Sequence, residues 1–147
     1  MLIIFDFESG VLPSWSAGSG SLSLSPEHFK SGKQSLAWSW SGREASLTLR
    51  DPALVAKRGP KSGFAVWVYN ENPSPGSLVV EALYQDKVVG RTWFWMDYSG
   101  WRILGCGFSQ FGLPPAQTID AIRFKSPIEN TRGRLFLDDA CLGFDHT

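Results

Sequence analysis

Four carboxylates near the two ends of the chain have the chemistry to hold a hard metal ion. They are Asp6, Glu8, Asp138 and Asp139. Both end stretches set acids among apolar residues, as in the first and last strands of a β-sandwich whose termini lie side by side. Glu8 and Asp138 would then be neighbours, and the Gly32–Lys33 turn could add a backbone carbonyl, which suits calcium. The alternative is that these acids are solvated, or that one pairs with Lys33.

Aromatic and basic side chains alternate along three predicted strands and have the chemistry to bind a sugar polymer. Sugar rings pack their C–H faces on aromatic rings, and arginine and lysine bind sulfate and carboxylate groups. The candidate ligand-binding residues are Arg91, Trp93, Trp95, Trp67, Tyr69, Arg123 and Lys125. The Arg91-x-Trp93-x-Trp95 row is the best candidate, because it adds a cation to two aromatic side chains on one strand face. The alternative is that the aromatic rows pack in the core and that the charges are merely solvated.

Other reactive constellations are missing from the sequence. His28 and His146 are the two histidines, and His28 has no neighbouring cysteine or evident acid partner, so a transition-metal site is not expected. No nucleophile elbow, phosphate-binding loop or dinucleotide-binding fingerprint occurs. The 14 basic and 14 acidic side chains give zero formal charge, which argues against a globally basic nucleic-acid binder. We therefore expect neither an enzyme nor a nucleic-acid partner.

Short strands separated by turns must position these groups. Period-two alternation predicts ten strands, within residues 3–7, 21–25, 34–40, 45–49, 64–69, 77–85, 88–96, 101–104, 119–125 and 134–142. Residues 51–57 are expected to form one helical turn, and residues 11–21, 26–33 and 109–117 to form loops or turns. The 15 glycines and nine prolines fit many turns. The pattern predicts one all-β domain over residues 1–147, an antiparallel β-sandwich of jelly-roll type.

Cysteine usage and the N-terminal residues bear on the cellular compartment. Cys106 and Cys141 do not form a CxxC motif, and we expect two separate small core residues, with a disulfide as the alternative. The apolar run Leu2–Phe5 is too short for a signal-peptide core. No apolar run approaches the ~20 residues that span a bilayer, so no membrane partner is expected. The protein is then either intracellular or a mature domain from a longer secreted precursor.

Six segments carry a family resemblance: FDFESG, SGKQSLAWSWSG, GFAVWVYNENP, SGWRILG, IDAIRFKSP and GRLFLDDACL. In this order they resemble the N-terminal domain of chondroitin sulfate ABC-type lyases, from about Phe5 to Leu142. The most specific parts are residues 31–40, 64–73 and 119–127. The resemblance implies a jelly roll of the galactose-binding-like type, similar to carbohydrate-binding modules.

The same resemblance implies an accessory role and a metal. In the family this domain precedes a helical toroid that carries the catalytic residues, so no catalytic residue is assigned to this chain. Similar jelly rolls hold a structural calcium ion. By that likeness its ligands here would be the backbone of Asp6, the Glu8 side chain, the backbone of Lys33 and the Asp138 side chain, with Asp139 as a further candidate.

Two functional hypotheses follow. The first is a non-catalytic module that recognises a glycosaminoglycan, such as chondroitin or dermatan sulfate, for an attached lyase in a secreted or periplasmic bacterial enzyme. The second is a structural domain that packs against the lyase catalytic domain without binding sugar. An exposed aromatic row flanked by arginine would favour the first, whereas a flat apolar patch at one edge would favour the second.

Overall fold

Eleven strands and two short 3₁₀ helices occur in the part of the chain that the computed structural model describes, residues 2–10, 14–55, 62–114, 116–127 and 131–143. The strands are β1 (Leu2–Phe5), β2 (Trp15–Gly18), β3 (Ser21–Ser25), β4 (Ser35–Ser41), β5 (Ser46–Arg50), β6 (Gly63–Asn70), β7 (Ser77–Tyr84), β8 (Lys87–Trp95), β9 (Gly100–Gly107), β10 (Ala121–Lys125) and β11 (Arg132–Gly143). The helices span Pro52–Val55 and Phe108–Phe111. No helix within these ranges has the length and apolar character needed to cross a membrane.

The strands pair into two antiparallel sheets. One has six strands in the order β3-β4-β11-β6-β9, with β1 also paired to β11. The other has five strands in the order β2-β5-β10-β7-β8. Phe5 of β1 lies opposite Ala140 of β11, so the first and last strands are neighbours as expected. The predicted antiparallel jelly-roll sandwich is confirmed.

Strand β6 illustrates how the sequence pattern builds the layers. Phe64, Val66 and Val68 are buried in the core between the sheets, because successive side chains of a strand point to opposite faces. Trp67 and Tyr69 are half-buried on the outer face of the six-stranded sheet. The apolar rows of both sheets face inward and are removed from water. This burial stabilises the fold by about 25 cal/mol per Å² of apolar surface.

One of the aromatic rows, on β4, lies in the core. Trp38 and Trp40 of β4 are 1% and 5% exposed, and their ring centroids lie 4.7 Å apart. The two rings belong to the core cluster between the sheets, with Leu36 of the same strand face. This tryptophan pair is therefore a core element.

The loop predicted for residues 11–21 is wrong over Trp15–Gly18, which forms β2 against β5. The Ser- and Gly-rich composition suggested a loop, but an edge strand needs a partner on only one side. Trp15 also anchors it: this side chain is 4% exposed and makes edge contacts with Phe5 and Phe7. Residues 11–13 lie outside the described part of the chain.

The helical turn expected over residues 51–57 is present at Pro52–Val55, where the Leu54 side chain is buried; residues 56 and 57 lie outside the described residues. The loop predicted for 109–117 begins instead as a 3₁₀ helix, because Phe108 and Phe111 both enter the core. Cys106 and Cys141 are separate free thiols, as expected, but both are half-buried rather than in the core. Burial raises the pKa of the Cys106 thiol to about 11.

Candidate functional site

The outer face of the five-stranded sheet carries most of the predicted binding residues. Strand register places Arg91 of β8, Glu81 of β7 and Arg123 of β10 in one cross-strand row. The next row contains Trp93, Val79 and Lys125, and it continues to Ser46 of β5. Trp95 extends the site along β8 and lies opposite Ser77. Side chains from four adjacent strands thus share the outer face of this sheet.

Two tryptophans on β8 are exposed to solvent. Trp93 and Trp95 are 57% and 60% exposed, which is unusual for such large apolar side chains. Phe94, between them in sequence, turns the other way and packs against the core. Residues two apart in a strand lie about 7 Å from each other, so the rings form a short platform. Arg91 extends this platform, and we call Arg91, Trp93 and Trp95 the β8 row.

A buried carboxylate organises the cations beside the β8 row. The Glu81 side chain is only 5% exposed, and both the Nε and Nη2 groups of Arg123 lie 2.8 Å from its Oε1 atom. Arg91 Nη2 lies 3.9 Å from the other carboxylate oxygen. A buried charge is costly unless it is paired, so Glu81 fixes Arg123 firmly. Arg91, whose side chain is 63% exposed, keeps its guanidinium open to solvent.

Trp67 and Tyr69 lie on the opposite side of the molecule, under residues 26–34, which we call the covering segment. The His28 ring stacks on Tyr69 with 3.7 Å between ring centroids. Lys30 Nζ lies 4.1 Å from the centre of a Trp67 ring. Trp101 completes this cluster with an edge contact to Tyr69 at 5.4 Å. The structure therefore brings Arg91, Trp93, Trp95, Arg123 and Lys125 together and separates Trp67 and Tyr69 from them.

An ion-pair cluster holds the covering segment and corrects the expectation that His28 lacks an acid partner. His28 Nε2 lies 3.2 Å from Glu71 Oε1, and Glu71 is 43 residues away in sequence. Arg134 donates to the carboxylates of both Glu27 and Glu71, at 2.8 to 3.1 Å. The ligand atoms of Glu27, His28 and Glu71 lie within 4.8 Å of one another, but the Arg134 guanidinium already forms ion pairs with both acids. His146 lies outside the described residues.

The acids at the chain ends bind the covering segment through hydrogen bonds from its backbone N–H groups. Glu8 accepts hydrogen bonds from the N–H groups of Lys33 and Gln34, at 2.8 and 3.3 Å. Its carboxylate also lies directly on Gly32, which has a φ of +67° and no room for a side chain. Asp138, fully buried, accepts from the N–H groups of Lys30, Ser31 and Asp139.

The predicted calcium ligands fit a hard cation chemically. A carboxylate offers about four lone-pair sites, so two hydrogen bonds to Glu8 and three to Asp138 leave acceptor capacity on both. Burial raises the pKa of the Asp138 carboxyl above its usual range, although the backbone N–H groups of Lys30, Ser31 and Asp139 oppose this shift. The Asp6 carboxylate accepts from the Glu8 N–H at 3.1 Å. A calcium ion held by Asp6, Glu8, Lys33 and Asp138 stays a prediction.

Sequence reasoning missed the partners that set these roles. Glu81 lies in an apolar strand, and its pairing with Arg123 depends on register between β7 and β10. The covering segment was predicted as a turn, and no local signal indicates that it lies across Trp67 and Tyr69. The presence of acids at positions 27 and 71 is the one sequence feature that points to the His28 cluster.

Comparison with known proteins places the chain in a family. The family model "Lyase, N terminal" matches residues 2–146. The chain is 32% identical over 145 residues to a chondroitin sulfate ABC exolyase of Bacteroides thetaiotaomicron, and 30% identical over 142 residues to one of Proteus vulgaris. Each match covers 92% of this chain and 14% of the relative, so the chain spans about one seventh of the relatives' length.

A solved structure supports the same fold. The family 11 carbohydrate-binding module of a cellulosomal cellulase from Clostridium thermocellum matches with a TM-score of 0.67 and 18% identity. This match covers 99% of this chain and 95% of that module. At this identity the likeness establishes the sandwich fold alone. The family resemblance seen in the six sequence segments is confirmed, and the chain belongs to the family of lyase N-terminal domains.

Proposed function

We propose that this domain is a non-catalytic carbohydrate-binding module that holds a glycosaminoglycan for an attached lyase catalytic domain. The observation that carries the proposal is the β8 row, in which two exposed tryptophans stand beside an exposed arginine. Tryptophan rings offer flat apolar faces to sugar rings. The guanidinium binds carboxylate and sulfate groups bidentately. The ligand class is a uronic-acid polysaccharide such as chondroitin or dermatan sulfate, in agreement with the names of the relatives.

The advantage of such a module is local concentration rather than chemistry. A chain bound on the β8 row stays near a tethered catalytic domain, which makes each later encounter intramolecular. The proposal assigns no catalytic residue to this domain. It also places the protein outside the cytoplasm, in a secreted or periplasmic bacterial enzyme, where polymeric substrates occur.

Isothermal titration with chondroitin sulfate oligosaccharides, in buffer containing calcium, tests the proposal. We expect saturable heat from the wild-type domain and a loss of binding in Trp95→Ala. Ile103→Ala is the matched control, because Ile103 is 52% exposed but lies on β9 of the other sheet. No heat from the wild type up to millimolar ligand would contradict the proposal.

The competing function is a docking domain for the lyase catalytic domain. The observation that favours it is the apolar edge at β9, where exposed Ile103 lies opposite Trp67 in the register with β6. In that case Ile103→Asp would weaken association with a separately expressed catalytic domain, and glycan titrations would be silent. A binding isotherm that disappears in Trp95→Ala favours the glycan-binding module instead.

We also propose a structural calcium ion at the chain ends, with the backbone of Asp6 and Lys33 and the side chains of Glu8 and Asp138 as ligands. Bound there, calcium would supply charge neutralisation and a cross-link between the residues that follow β1, strand β11 and the covering segment. The support is that the carboxylates of Glu8 and Asp138 both bind the covering segment, at the N–H groups of Lys33 and Lys30, so the two acids meet the same short stretch of chain. The test is thermal unfolding with calcium and with chelator.

A further inference from the structure

A pocket of about 290 Å³ opens beside the β8 row on the outer face of the five-stranded sheet. Its lining includes Ser77, Val79, Glu81, Arg91, Lys125 and Ser126. Val79 lies between Trp93 and Lys125 in the strand register, so the pocket adjoins the tryptophan platform. A polymer that crosses the platform would therefore pass over this pocket.

Ser126 lines this pocket, and its buried hydroxyl is unsatisfied. Ser126 is 5% exposed, and its Oγ has no hydrogen-bond partner among the described residues. Its backbone N–H, in contrast, donates to the carbonyl of Ala45 at 2.9 Å. A buried polar group without a partner costs about 1–3 kcal/mol, and such groups are rare in folded proteins. A ligand oxygen at the pocket would relieve that cost.

The pocket also holds cations that are not fully committed to protein carboxylates. Glu81 is closely paired with Arg123, and its distance to Arg91 is the longer 3.9 Å. Lys125 has no carboxylate within ion-pair distance in the described part of the chain. The exposed Glu44 also lines the pocket. The lining has two cations, Arg91 and Lys125, against the carboxylates of Glu44 and Glu81. Arg123 lies beside the pocket and is paired with Glu81, so three cations and two carboxylates leave one net positive charge around the pocket, which suits a single anionic group.

We propose that this pocket is the subsite for one sulfate or carboxylate group of the bound polysaccharide, while Trp93 and Trp95 carry its sugar rings. This inference rests on the proposed function. Arg91 and Lys125 approach the anion from two strands, β8 and β10, and the Ser126 hydroxyl donates a hydrogen bond to it. Glu81 is paired closely with Arg123 and only at 3.9 Å with Arg91, so Arg91 and Lys125 remain available to the ligand.

Titration of three oligosaccharides of equal length tests the subsite: chondroitin sulfate, its desulfated form and its carboxyl-reduced form. We expect Lys125→Met to weaken binding of chondroitin sulfate about tenfold, which corresponds to about 1.4 kcal/mol. Ser126→Ala should weaken it about threefold. Both variants should bind the form that lacks the recognised anion as the wild type does. The form on which the variants have no effect identifies the group, sulfate or carboxylate.

Lys87→Met is the matched control, since Lys87 is an exposed cation at the hairpin end of β8 and does not line the pocket. Thermal unfolding checks that every variant is folded. The subsite proposal is wrong if the wild type binds all three oligosaccharides equally, or if Lys125→Met and Ser126→Ala bind chondroitin sulfate as tightly as the wild type does. In either case the proposed carbohydrate-binding function is unaffected. If the wild type binds none of them, the proposed function itself fails, and the subsite fails with it.

Discussion

The outer faces of the two sheets carry similar aromatic rows but differ in what lies above them. Trp67 and Tyr69 on β6 are packed under the covering segment, whereas Trp93 and Trp95 on β8 are more than half exposed. Both rows leave the core for the same reason, the period of two along a strand. The difference is that β6 is central in its sheet and is crossed by chain, while β8 is an edge strand. An aromatic row is thus available to a ligand where the rest of the chain leaves it uncovered.

The largest expected effect separates the two rows by function. Replacing both Trp93 and Trp95 by alanine should weaken glycan binding at least about 100-fold, or about 2.7 kcal/mol, because exposed aromatic anchors dominate such interfaces. The free energy of unfolding should change by less than about 0.5 kcal/mol. Titration calorimetry and urea unfolding measure the two quantities. A double variant that loses stability but keeps its affinity would show that Trp93 and Trp95 serve the fold and do not bind the ligand.

Removal of calcium should destabilise the fold and loosen the covering segment over Trp67 and Tyr69. Calcium present at 100 times its Kd would stabilise the fold by about 2.7 kcal/mol, so chelation should lower the Tm by roughly 5–10 °C. Because Glu8 and Asp138 hold the covering segment, tryptophan fluorescence should also report new exposure on that side. Asp138→Asn should abolish the response to calcium. An unchanged Tm with chelator would show that hydrogen bonds alone secure the segment.

Tyr69→Ala should produce the opposite pattern to the double tryptophan variant. Tyr69 packs against His28, Trp101 and Phe136, so its truncation should cost about 2 kcal/mol of stability. Glycan affinity should stay within about twofold, since the side chain lies on the other sheet. Tyr84→Ala, at the end of β7, provides the control for loss of a half-buried tyrosine. A large loss of glycan affinity in Tyr69→Ala would place the binding site on the covered face.

Alkaline pH should weaken the six-stranded sheet more than the β8 row. Burial raises the pKa of Tyr98 from 10.0 to about 12, although Arg102 opposes the shift. Its hydroxyl donates to the carbonyl of Val68 on β6. Because the folded-state pKa is raised, this contribution is fully present below pH 10 and is lost as pH rises towards 12.

The free energy of unfolding, measured from pH 9 to 12, should therefore decrease more for the wild type than for Tyr98→Phe. The difference between the two decreases should be on the order of 1 kcal/mol. All other groups are common to both proteins, so their contributions cancel in the difference. Parallel curves for the two proteins would assign the alkaline loss to groups other than Tyr98.

Local pattern predicted the layers of this fold but not the contacts across them. The outward direction of Arg123 and Lys125 follows from alternation, and the pairing of the first and last strands follows from their matching composition. Alternation places Trp93 and Trp95 on one strand face but does not decide whether that face is in the core. The contact between His28 and Glu71 depends on how a loop folds back over a sheet, which no window of sequence contains. The ion pair between Glu81 and Arg123 likewise depends on register. Strand β2 escaped notice because a single tryptophan supplies its apolar signal.

The edge position of β8 has a consequence for the solution behaviour of this domain. No described strand pairs with its outer side. An open backbone edge therefore lies beside two exposed tryptophans, a combination that invites strand-to-strand aggregation. The charges of Lys87 and Arg91 oppose such stacking. A bound polysaccharide would shield the same surface, so the ligand-free domain should be the form that aggregates first on concentration.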